Sequence, residues 1–166
     1  LIKTLHQQLL SFGRGAQKAP GQYKTEQNYL ADKIKQKVLF TPISPEKLHD
    51  GLEQLFTYIE DSSDPILIKT ALMHLEFEAL HPFQDGNGRL SRLLTTYLLL
   101  KTGYDFAQYV SFEGIIEQKK AEYYSCLMSI QQHRNTPQEI ISDWIFFFLD
   151  CLGTLTNKLQ QKYEVY

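Results

Sequence analysis

The chain has 166 residues, of which 43% are hydrophobic and 22% charged, and its formal net charge is −2. This length suits one compact domain, and the composition excludes an intrinsically disordered chain, which combines few apolar residues with a high net charge. A slightly acidic chain has no general attraction for nucleic acid or for an anionic membrane, so we expect neither as a direct partner.

Helix signals recur from one end of the chain to the other, so the sequence predicts a mostly α fold. A first helix is predicted over about residues 2–12, ended by Gly13. Two more begin at Ser44-Pro45 and Asp64-Pro65, because proline fits the first helical position and the preceding side chain can accept a free backbone N–H. Further helices are predicted over about 88–102, about 112–131 and about 137–158. The last of these begins with a capping box formed by Thr136 and Glu139.

One stretch departs from helical periodicity. Tyr23–Leu30 mixes β-prone with polar residues, and Val38–Phe40 follows a lysine-rich connection. These two runs predict a small exposed hairpin within residues 22–40. The segment before it, 13–21, is rich in helix breakers and is predicted to be a loop.

The surroundings in which the chain works are indicated by its cysteines and its apolar runs. Cys126 and Cys151 lie far apart without a CxxC spacing, and the start of the chain has no signal-peptide pattern, so we expect the cytoplasm. The most apolar run, Trp144–Leu152, is about half as long as a membrane-spanning helix requires, so it predicts a buried core helix. Because the chain opens at Leu1 and not at methionine, we expect a piece of a longer protein.

The residues that carry chemistry lie between two predicted helices, in the run His81-Pro82-Phe83-Gln84-Asp85-Gly86-Asn87-Gly88-Arg89-Leu90-Ser91-Arg92. Gly86 and Gly88 permit backbone conformations closed to other residues and let main-chain N–H groups approach a ligand. These groups lead into the start of a helix, whose unpaired N–H donors and dipole favour an anion such as phosphate. The run therefore predicts a phosphate cradle.

Four side chains complete the chemistry of this cradle. Arg89 and Arg92 are three residues apart, so two guanidinium groups on one helix face can point at one polyphosphate. Asp85 supplies a hard oxygen ligand for Mg²⁺, whose shell is completed by phosphate oxygens and water. His81 has an ordinary pKa close to neutrality, so it can accept a proton from an attacking hydroxyl.

At this point the run resembles the signature of the Fic family, HPFx(D/E)GNGRxxR, at every specified position. The resemblance covers nearly the whole chain: residues 74–80 resemble the helix before the family motif, 22–30 the β-hairpin flap, and 122–124 the downstream tyrosine pair. It implies an all-α, Fic-type helical bundle with a small β-hairpin flap. Residues 1–166 would form a single catalytic domain with the flap at 22–40 inside it.

The resemblance also implies an activity, which is transfer of AMP from Mg-ATP to a Ser, Thr or Tyr hydroxyl of a target protein, with release of pyrophosphate. His81 would be the base, and Asp85 would hold the metal and the nucleotide. The α-phosphate would lie against Asn87 and the backbone of Gly86 and Gly88. The other nucleotide-binding residues implied are Arg89, Leu90, Ser91, Arg92, Tyr123 and Tyr124. Closure over the site and contact with the target are implied for Gln27, Asn28, Tyr29 and Leu30.

The sequence departs from the family pattern in two places. The flap tip, residues 31–37, lacks the glycines that the family hairpin often carries at its turn. Many members also carry an inhibitory helix with the pattern [S/T]xxxE[G/N], and the nearest match, Glu113-Gly114, has Tyr109 at the hydroxyl position. We therefore expect Arg92 to be free of a carboxylate partner. Any inhibitory helix would come from a flank upstream of Leu1 or from a separate antitoxin chain.

Several other interpretations of the same residues remain open. The motif could be a glycine turn in which His81 only caps or packs, and His74, Glu78 and His81 could share a helix face as zinc ligands. The same site could remove AMP from a modified protein, or bind nucleotide without turnover as a toxin–antitoxin interaction module. Tyr123 and Tyr124 could be core aromatics, although adjacent helix positions cannot both face a core. No role is assigned to His6, His49 and His133.

Overall fold

The structure is a computed structural model, and it describes residues 1–11, 15–32 and 37–164. Helices dominate the described residues, which confirms the prediction of an all-α fold with a small hairpin. The hairpin consists of β1 (Leu30–Asp32) and β2 (Lys37–Phe40), and a short 3₁₀ helix covers Asp105–Gln108. The α-helices are α1 (Ile2–Ser11), α2 (Pro45–Asp61), α3 (Ile66–Leu80), α4 (Asn87–Lys101), α5 (Phe112–Gln118), α6 (Lys120–His133) and α7 (Ser142–Glu164).

The fold contains two compact units. The first holds Leu1–Ser62 and Glu76–Ser91, and the second holds Ser63–Leu75 and the described chain from Arg92 onward. The helix α3 therefore begins in the second unit and ends in the first, whereas α4 begins in the first unit and ends in the second. That residues 1–166 act as a single domain stays a prediction. No helix within the described ranges is long and apolar enough to cross a membrane.

In the first unit, α2 approaches the end of α3 closely at Gly51. Leu48, Leu52 and Leu55 recur at helical spacing along α2 and are buried, as the sequence predicts. A Cβ atom placed on Gly51 would lie 2.6 Å from Cδ2 of Leu80, closer than two carbon atoms can approach. Glycine at this position lets α2 lie against the last turn of α3, directly before the motif.

The second unit has an aromatic core around His74 and Trp144. The indole Nε1–H of Trp144 donates to the Ala71 carbonyl at 2.7 Å, and its ring lies 5.4 Å from the His74 ring. His74 is fully buried, with Nδ1 2.8 Å from the Thr95 hydroxyl and Nε2 2.9 Å from the Tyr123 hydroxyl. Burial lowers the pKa of His74 to about 3, so this core holds a neutral imidazole.

The hairpin is shorter than predicted, because its first strand begins only at Leu30. Pairing is antiparallel, with Leu30 opposite Phe40 and Ala31 opposite Val38. The preceding residues 22–29 form no strand, and groups of Lys24 and Asn28 instead donate hydrogen bonds to the carbonyls of the motif. The flap tip is the segment 31–37, where the glycines of the family hairpin are missing. Residues 33–36 of this tip lie outside the described residues.

Two helix boundaries also differ from prediction. The helix predicted over 112–131 is divided at Lys119, whose φ of −102° and ψ of 25° are not helical, and whose ammonium pairs with Asp150 of α7. The last helix begins at Ser142 and not at Pro137. Thr136 forms a local turn, because its hydroxyl donates to the His133 carbonyl at 2.6 Å. Both differences follow from side-chain contacts that helical periodicity does not encode.

Candidate active site

His81 is the first residue after α3 and has an unusual backbone. Its N–H still donates to the Phe77 carbonyl at 3.0 Å, but its φ is +45°, in the left-handed region. For a residue with a Cβ atom this conformation costs about 1–3 kcal/mol and persists only where the surroundings hold it. The left-handed conformation marks the point where the chain leaves α3.

The imidazole of His81 is oriented by Glu78, one turn earlier in α3. Nδ1 lies 3.2 Å from the Glu78 carbonyl oxygen and 3.8 Å from its carboxylate, so Nδ1 carries the proton and donates. Nε2 therefore keeps a lone pair. Burial lowers the pKa of His81, and the Glu78 charge opposes this in part, so the ring is neutral near pH 7. The His81 side chain is 19% exposed.

Glu78 also connects the end of α3 to the start of α4. Its carboxylate is buried and accepts a hydrogen bond from the Ser91 hydroxyl, with the two oxygen atoms 2.5 Å apart. The same hydroxyl lies 3.0 Å from the Gly88 carbonyl. The Glu78 carboxylate, which belongs to α3, therefore also contacts α4 through Ser91 while it faces Nδ1 of His81.

Asn87 organises the loop between the two helices. Its side chain is 2% exposed, with Oδ1 accepting the Phe83 N–H at 2.9 Å and Nδ2 donating to the Phe83 carbonyl at 2.7 Å. One amide therefore closes the turn at both its backbone groups. Contact of Asn87 with an α-phosphate stays a prediction, and the structure gives this residue a loop-building role.

The two motif glycines differ in conformation. Gly86 has a φ of +82°, and a Cβ atom there would lie 3.2 Å from Leu10 Cδ2, so this position requires glycine. The expectation of a special conformation at Gly88 is wrong, because Gly88 lies in the first turn of α4, where the helix fixes ordinary dihedral angles. The first N–H groups of α4 have no acceptors within the helix and favour an anion.

Asp85 provides a carboxylate at the mouth of this loop. Its Oδ1 accepts the Gly86 N–H at 2.7 Å, and the side chain is partly exposed. An ionised carboxylate has further lone pairs on both oxygens. Magnesium is commonly held by one or two carboxylates together with phosphate oxygens and water, so this single carboxylate fits Mg²⁺ bound with a nucleotide.

His6 of α1 is a residue of this site that the sequence interpretation missed. It is fully buried, its Nδ1 accepts the Gly21 N–H at 2.8 Å, and its Nε2 donates to the Asp85 carbonyl at 2.8 Å. The ring stacks on Phe83 with centroids 3.7 Å apart. Burial lowers the pKa of His6, in keeping with a neutral ring. The signal for it was the spacing Ile2, His6, Leu10, which places the histidine on the buried face of α1.

Arg92 belongs to the second unit and corrects an expectation. Its Nε pairs with the carboxylate of Glu113 in the first turn of α5, so Arg92 has an acidic partner. The inhibitory pattern fails at Tyr109, yet its nearest match supplies the glutamate that reaches this arginine. An inhibitory helix from a flank or from an antitoxin chain stays a prediction.

Tyr123 and Tyr124 differ in burial, because adjacent positions of a helix face different directions. Tyr123 is 1% exposed and its hydroxyl bonds to His74, so the prediction that it borders a nucleotide is wrong. Its neighbour Tyr124 is exposed, with its ring 5.2 Å from that of Tyr123. Contact of Tyr124 with adenosine stays a prediction.

The other residues predicted at the site differ in burial and in their hydrogen bonds. Leu90 and Ser91 have buried side chains, so only their backbone groups could meet a nucleotide. Arg89 lies in the first turn of α4 and is half-buried. The amide of Gln27 donates to the carbonyls of Asn28 and Pro42, each at 3.0 Å. Tyr29 is exposed and Leu30 opens β1, so their contact with a target stays a prediction.

The zinc interpretation does not agree with the geometry. Both ring nitrogens of His74 are within hydrogen-bonding distance of a hydroxyl, so neither is available to a metal. In the part of the chain that the structure describes, no three His, Cys, Asp or Glu side chains form a group that could hold a metal ion.

Comparison with known proteins identifies the family. The Fic/DOC family profile matches residues 1–99, which include the whole motif. The chain is 31% identical to protein adenylyltransferase fic-1 of Caenorhabditis elegans over 76% of its own length and 22% of the relative's, so it spans about a fifth of that relative.

Solved structures share this fold. A Fic family protein from Desulfovibrio desulfuricans G20 superposes with a TM-score of 0.80 at 23% identity, covering 98% of this chain and 47% of that one. A Fic domain containing signaling protein from Bacteroides thetaiotaomicron gives 0.73 at 24% identity, covering 93% and 59%. With its motif loop, its flanking helices and its hairpin, the chain belongs to the Fic/DOC family.

Proposed function

We propose that this chain transfers AMP from Mg-ATP to the hydroxyl of a Ser, Thr or Tyr side chain in a target protein and releases pyrophosphate. The observation that carries the proposal is the His81 ring, whose Nδ1 faces the Glu78 carbonyl and whose Nε2 keeps a lone pair. Relatives named protein adenylyltransferase support the same reaction.

In the proposed step, Nε2 of His81 takes the proton of the target hydroxyl, and the hydroxyl oxygen forms a bond to the α-phosphorus. The bond between the α-phosphorus and the bridging oxygen to the β-phosphorus breaks, and its electron pair leaves with pyrophosphate. AMP is then joined to the target through a phosphodiester bond. The Glu78 carboxylate, 3.8 Å from Nδ1, stabilises the imidazolium that forms.

The rest of the motif would bind the nucleotide. The N–H groups at the start of α4 and the Asn87 amide would meet the α-phosphate, where charge develops. Arg89 and, three residues further along α4, Arg92 would bind the leaving phosphates. Asp85 would hold Mg²⁺, which neutralises charge on the phosphates when it is bound.

The hairpin supports a protein as the acceptor. It has two strands, Val38 and Leu39 of β2 are exposed, and Tyr29 directly before β1 is exposed as well. An extended peptide can pair with the free edge of such a hairpin through backbone hydrogen bonds, which tolerates many target sequences. We also propose a cytoplasmic location, supported by the free thiols of Cys126 and Cys151.

The proposal is tested with ATP labelled at the α- or the γ-phosphate, incubated with the chain and a protein extract. We expect label on protein from the α-phosphate alone. His81→Ala should lower transfer by about 10²–10⁴-fold, because the proton acceptor is lost. ATP affinity, measured by calorimetry, should stay within about twofold of the original because the phosphate cradle remains.

His49→Ala is the matched control, since His49 is an exposed histidine of α2, and it should transfer AMP at the original rate. Label from the γ-phosphate alone would indicate a kinase. Transfer by His81→Ala at the original rate would remove His81 as the base.

A further inference from the structure

Two residues of the segment before the hairpin, Lys24 and Asn28, bond to backbone carbonyls at the beginning of the motif. Lys24 Nζ donates to the Leu80 carbonyl at 3.0 Å, and Lys24 N–H donates to the Pro82 carbonyl at 2.9 Å. Asn28 Nδ2 donates to the His81 and Phe83 carbonyls, each at 3.0 Å. Four consecutive carbonyl oxygens, those of residues 80–83, therefore accept hydrogen bonds from this one pair of residues.

The pair is also joined internally. Lys24 Nζ donates to Asn28 Oδ1 at 2.9 Å, so the Asn28 amide is engaged at both of its ends. This bond fixes which end of the amide is nitrogen, because an ammonium can only donate. The lysine therefore determines that Asn28 presents donors, and not its oxygen, to the motif carbonyls.

Lys24 occupies a costly position for a lysine. It is 4% exposed, and both oxygens that its ammonium meets here are uncharged. Burial lowers the pKa of Lys24 to about 8, which reflects the cost of a charge there. A charge in such a place needs hydrogen bonds to offset the cost of burial, and its acceptors here are the Leu80 carbonyl at the end of α3 and the Asn28 side chain.

The residue enclosed by these bonds is His81. Its left-handed φ of +45° has to be maintained by its surroundings, and the carbonyls on either side of it are held by Lys24 and Asn28. A rotation of the 81–82 peptide would turn the imidazole and move Nε2 from its place. A displacement of about 1 Å in a catalytic group can lower a rate about 10²-fold.

We propose that Lys24 and Asn28 form a clamp of positioning residues that sets the direction of the His81 imidazole and links it to the segment leading into the hairpin. This inference rests on the proposed function, in which His81 Nε2 takes the proton of the target hydroxyl. Asn28 thus acts on the base through the backbone, in a role separate from the target contact that the family resemblance implies.

The first test is Asn28→Asp. Aspartate keeps an oxygen for Lys24 but replaces the two N–H donors that reach the His81 and Phe83 carbonyls. We expect kcat for AMP transfer to fall at least tenfold while the Kd for ATP, measured by calorimetry, stays within twofold. Thr25→Ala, an exposed neighbour, is the control and should keep both values. An Asn28→Asp variant with the original kcat would overturn the clamp.

The role of Lys24 is tested by two substitutions, one that keeps the charge and one that removes it, in case one variant folds poorly. Lys24→Arg keeps a charged donor and should retain most of kcat, whereas Lys24→Met should lose it as Asn28→Asp does. Equal kcat values for Lys24→Met and the original chain would overturn the role of Lys24. Circular dichroism at the assay temperature confirms that each variant is folded.

A measurement independent of the reaction separates this inference from the proposed function. The His81 ring can be titrated by NMR, and three charges act on it: Glu78 and Asp85 raise its pKa, and Lys24 lowers it. Lys24→Met should raise the His81 pKa and change the ring chemical shifts, and Thr25→Ala should change neither. An unchanged ring would overturn the clamp even if AMP transfer is found. A changed ring without any AMP transfer would leave the clamp standing and remove the function.

Discussion

Arg92 and Glu113 form an ion pair in which the acidic side chain is 54% exposed. A pair with one such exposed partner contributes about 0–1 kcal/mol, because water already solvates the carboxylate, although the Arg92 side chain is only 14% exposed. The pair is therefore weak enough to be displaced by a polyphosphate, which offers an arginine more charge and more acceptor oxygens. If Arg92 binds the phosphates as proposed, we expect Glu113 to compete with the nucleotide without preventing its binding.

Removal of this carboxylate should favour the nucleotide. We expect Glu113→Gln to lower the KM for ATP in AMP transfer by about two- to fivefold, since at most about 1 kcal/mol of competition is lost. Initial rates at varied ATP concentration provide the measurement. Glu117→Gln, which removes another α5 carboxylate, one paired with Lys120 of α6, is the control and should leave KM unchanged. A higher KM in Glu113→Gln would show that Glu113 instead orients Arg92 for the nucleotide.

At the scale of elements, the position of the motif depends on how α2 lies against the last turn of α3. Gly51 and Leu80 touch there, and Leu80 is also the residue whose carbonyl accepts the Lys24 ammonium. The N–H of Ile43 donates to the Ala79 carbonyl at 3.3 Å. The end of α3 is thus held from two sides before the chain enters the loop.

Two helical glycines allow this packing to be measured. Gly51 lies in α2 against Leu80, whereas Gly153 lies in α7 with no heavy atom within 4 Å of a Cβ placed on it. Gly153→Ala should raise the free energy of unfolding by about 0.5–1 kcal/mol, the gain in helix propensity. Gly51→Ala should lower it by about 1–2 kcal/mol, because overpacking outweighs the same gain. Urea unfolding measures both, and equal stabilisation by the two changes would contradict close packing at Gly51.

For the whole molecule, neutral histidines link stability to pH. His6, His74 and His81 all have a pKa lowered first of all by burial, and for His74 it falls to about 3. A group with a folded pKa below its unfolded value of 6.5 contributes full stability above pH 6.5. That contribution is lost as the pH falls from 6.5 towards the folded pKa, because the unfolded chain then binds protons that the folded chain excludes.

We therefore expect acid to destabilise the protein. Between pH 7 and pH 5, His74 alone should remove about 2 kcal/mol from the free energy of unfolding. Urea unfolding followed by the fluorescence of Trp144, the single tryptophan, measures the loss. His74→Gln should reduce the dependence on pH, and His49→Gln on the exposed face of α2 should not. A free energy that is equal at both pH values would contradict neutral buried histidines.

The amino-acid sequence by itself determined the helical class and the motif, and it predicted the chemistry proposed for that motif. These features are local: helix periodicity, the start of α2 at Pro45 and the order of residues 81–92 depend on neighbours a few positions apart. The side-chain cap predicted at Ser44 is wrong, because its side chain makes no capping hydrogen bond. Gly86 could be predicted to need a left-handed backbone, and His81 could be predicted as the base, because the residue type itself limits what each position can do.

The tertiary structure alone decided which side chains meet across long separations. His6 lies 79 residues before the Asp85 carbonyl that it reaches, and Asn28 lies 53 residues before the His81 carbonyl. Likewise, Tyr123 was separated from Tyr124 only when the core around His74 gave one of them a buried partner. Such contacts arise from the packing of whole helices, which positions each backbone to within hydrogen-bonding distance, and no spacing along the chain records them.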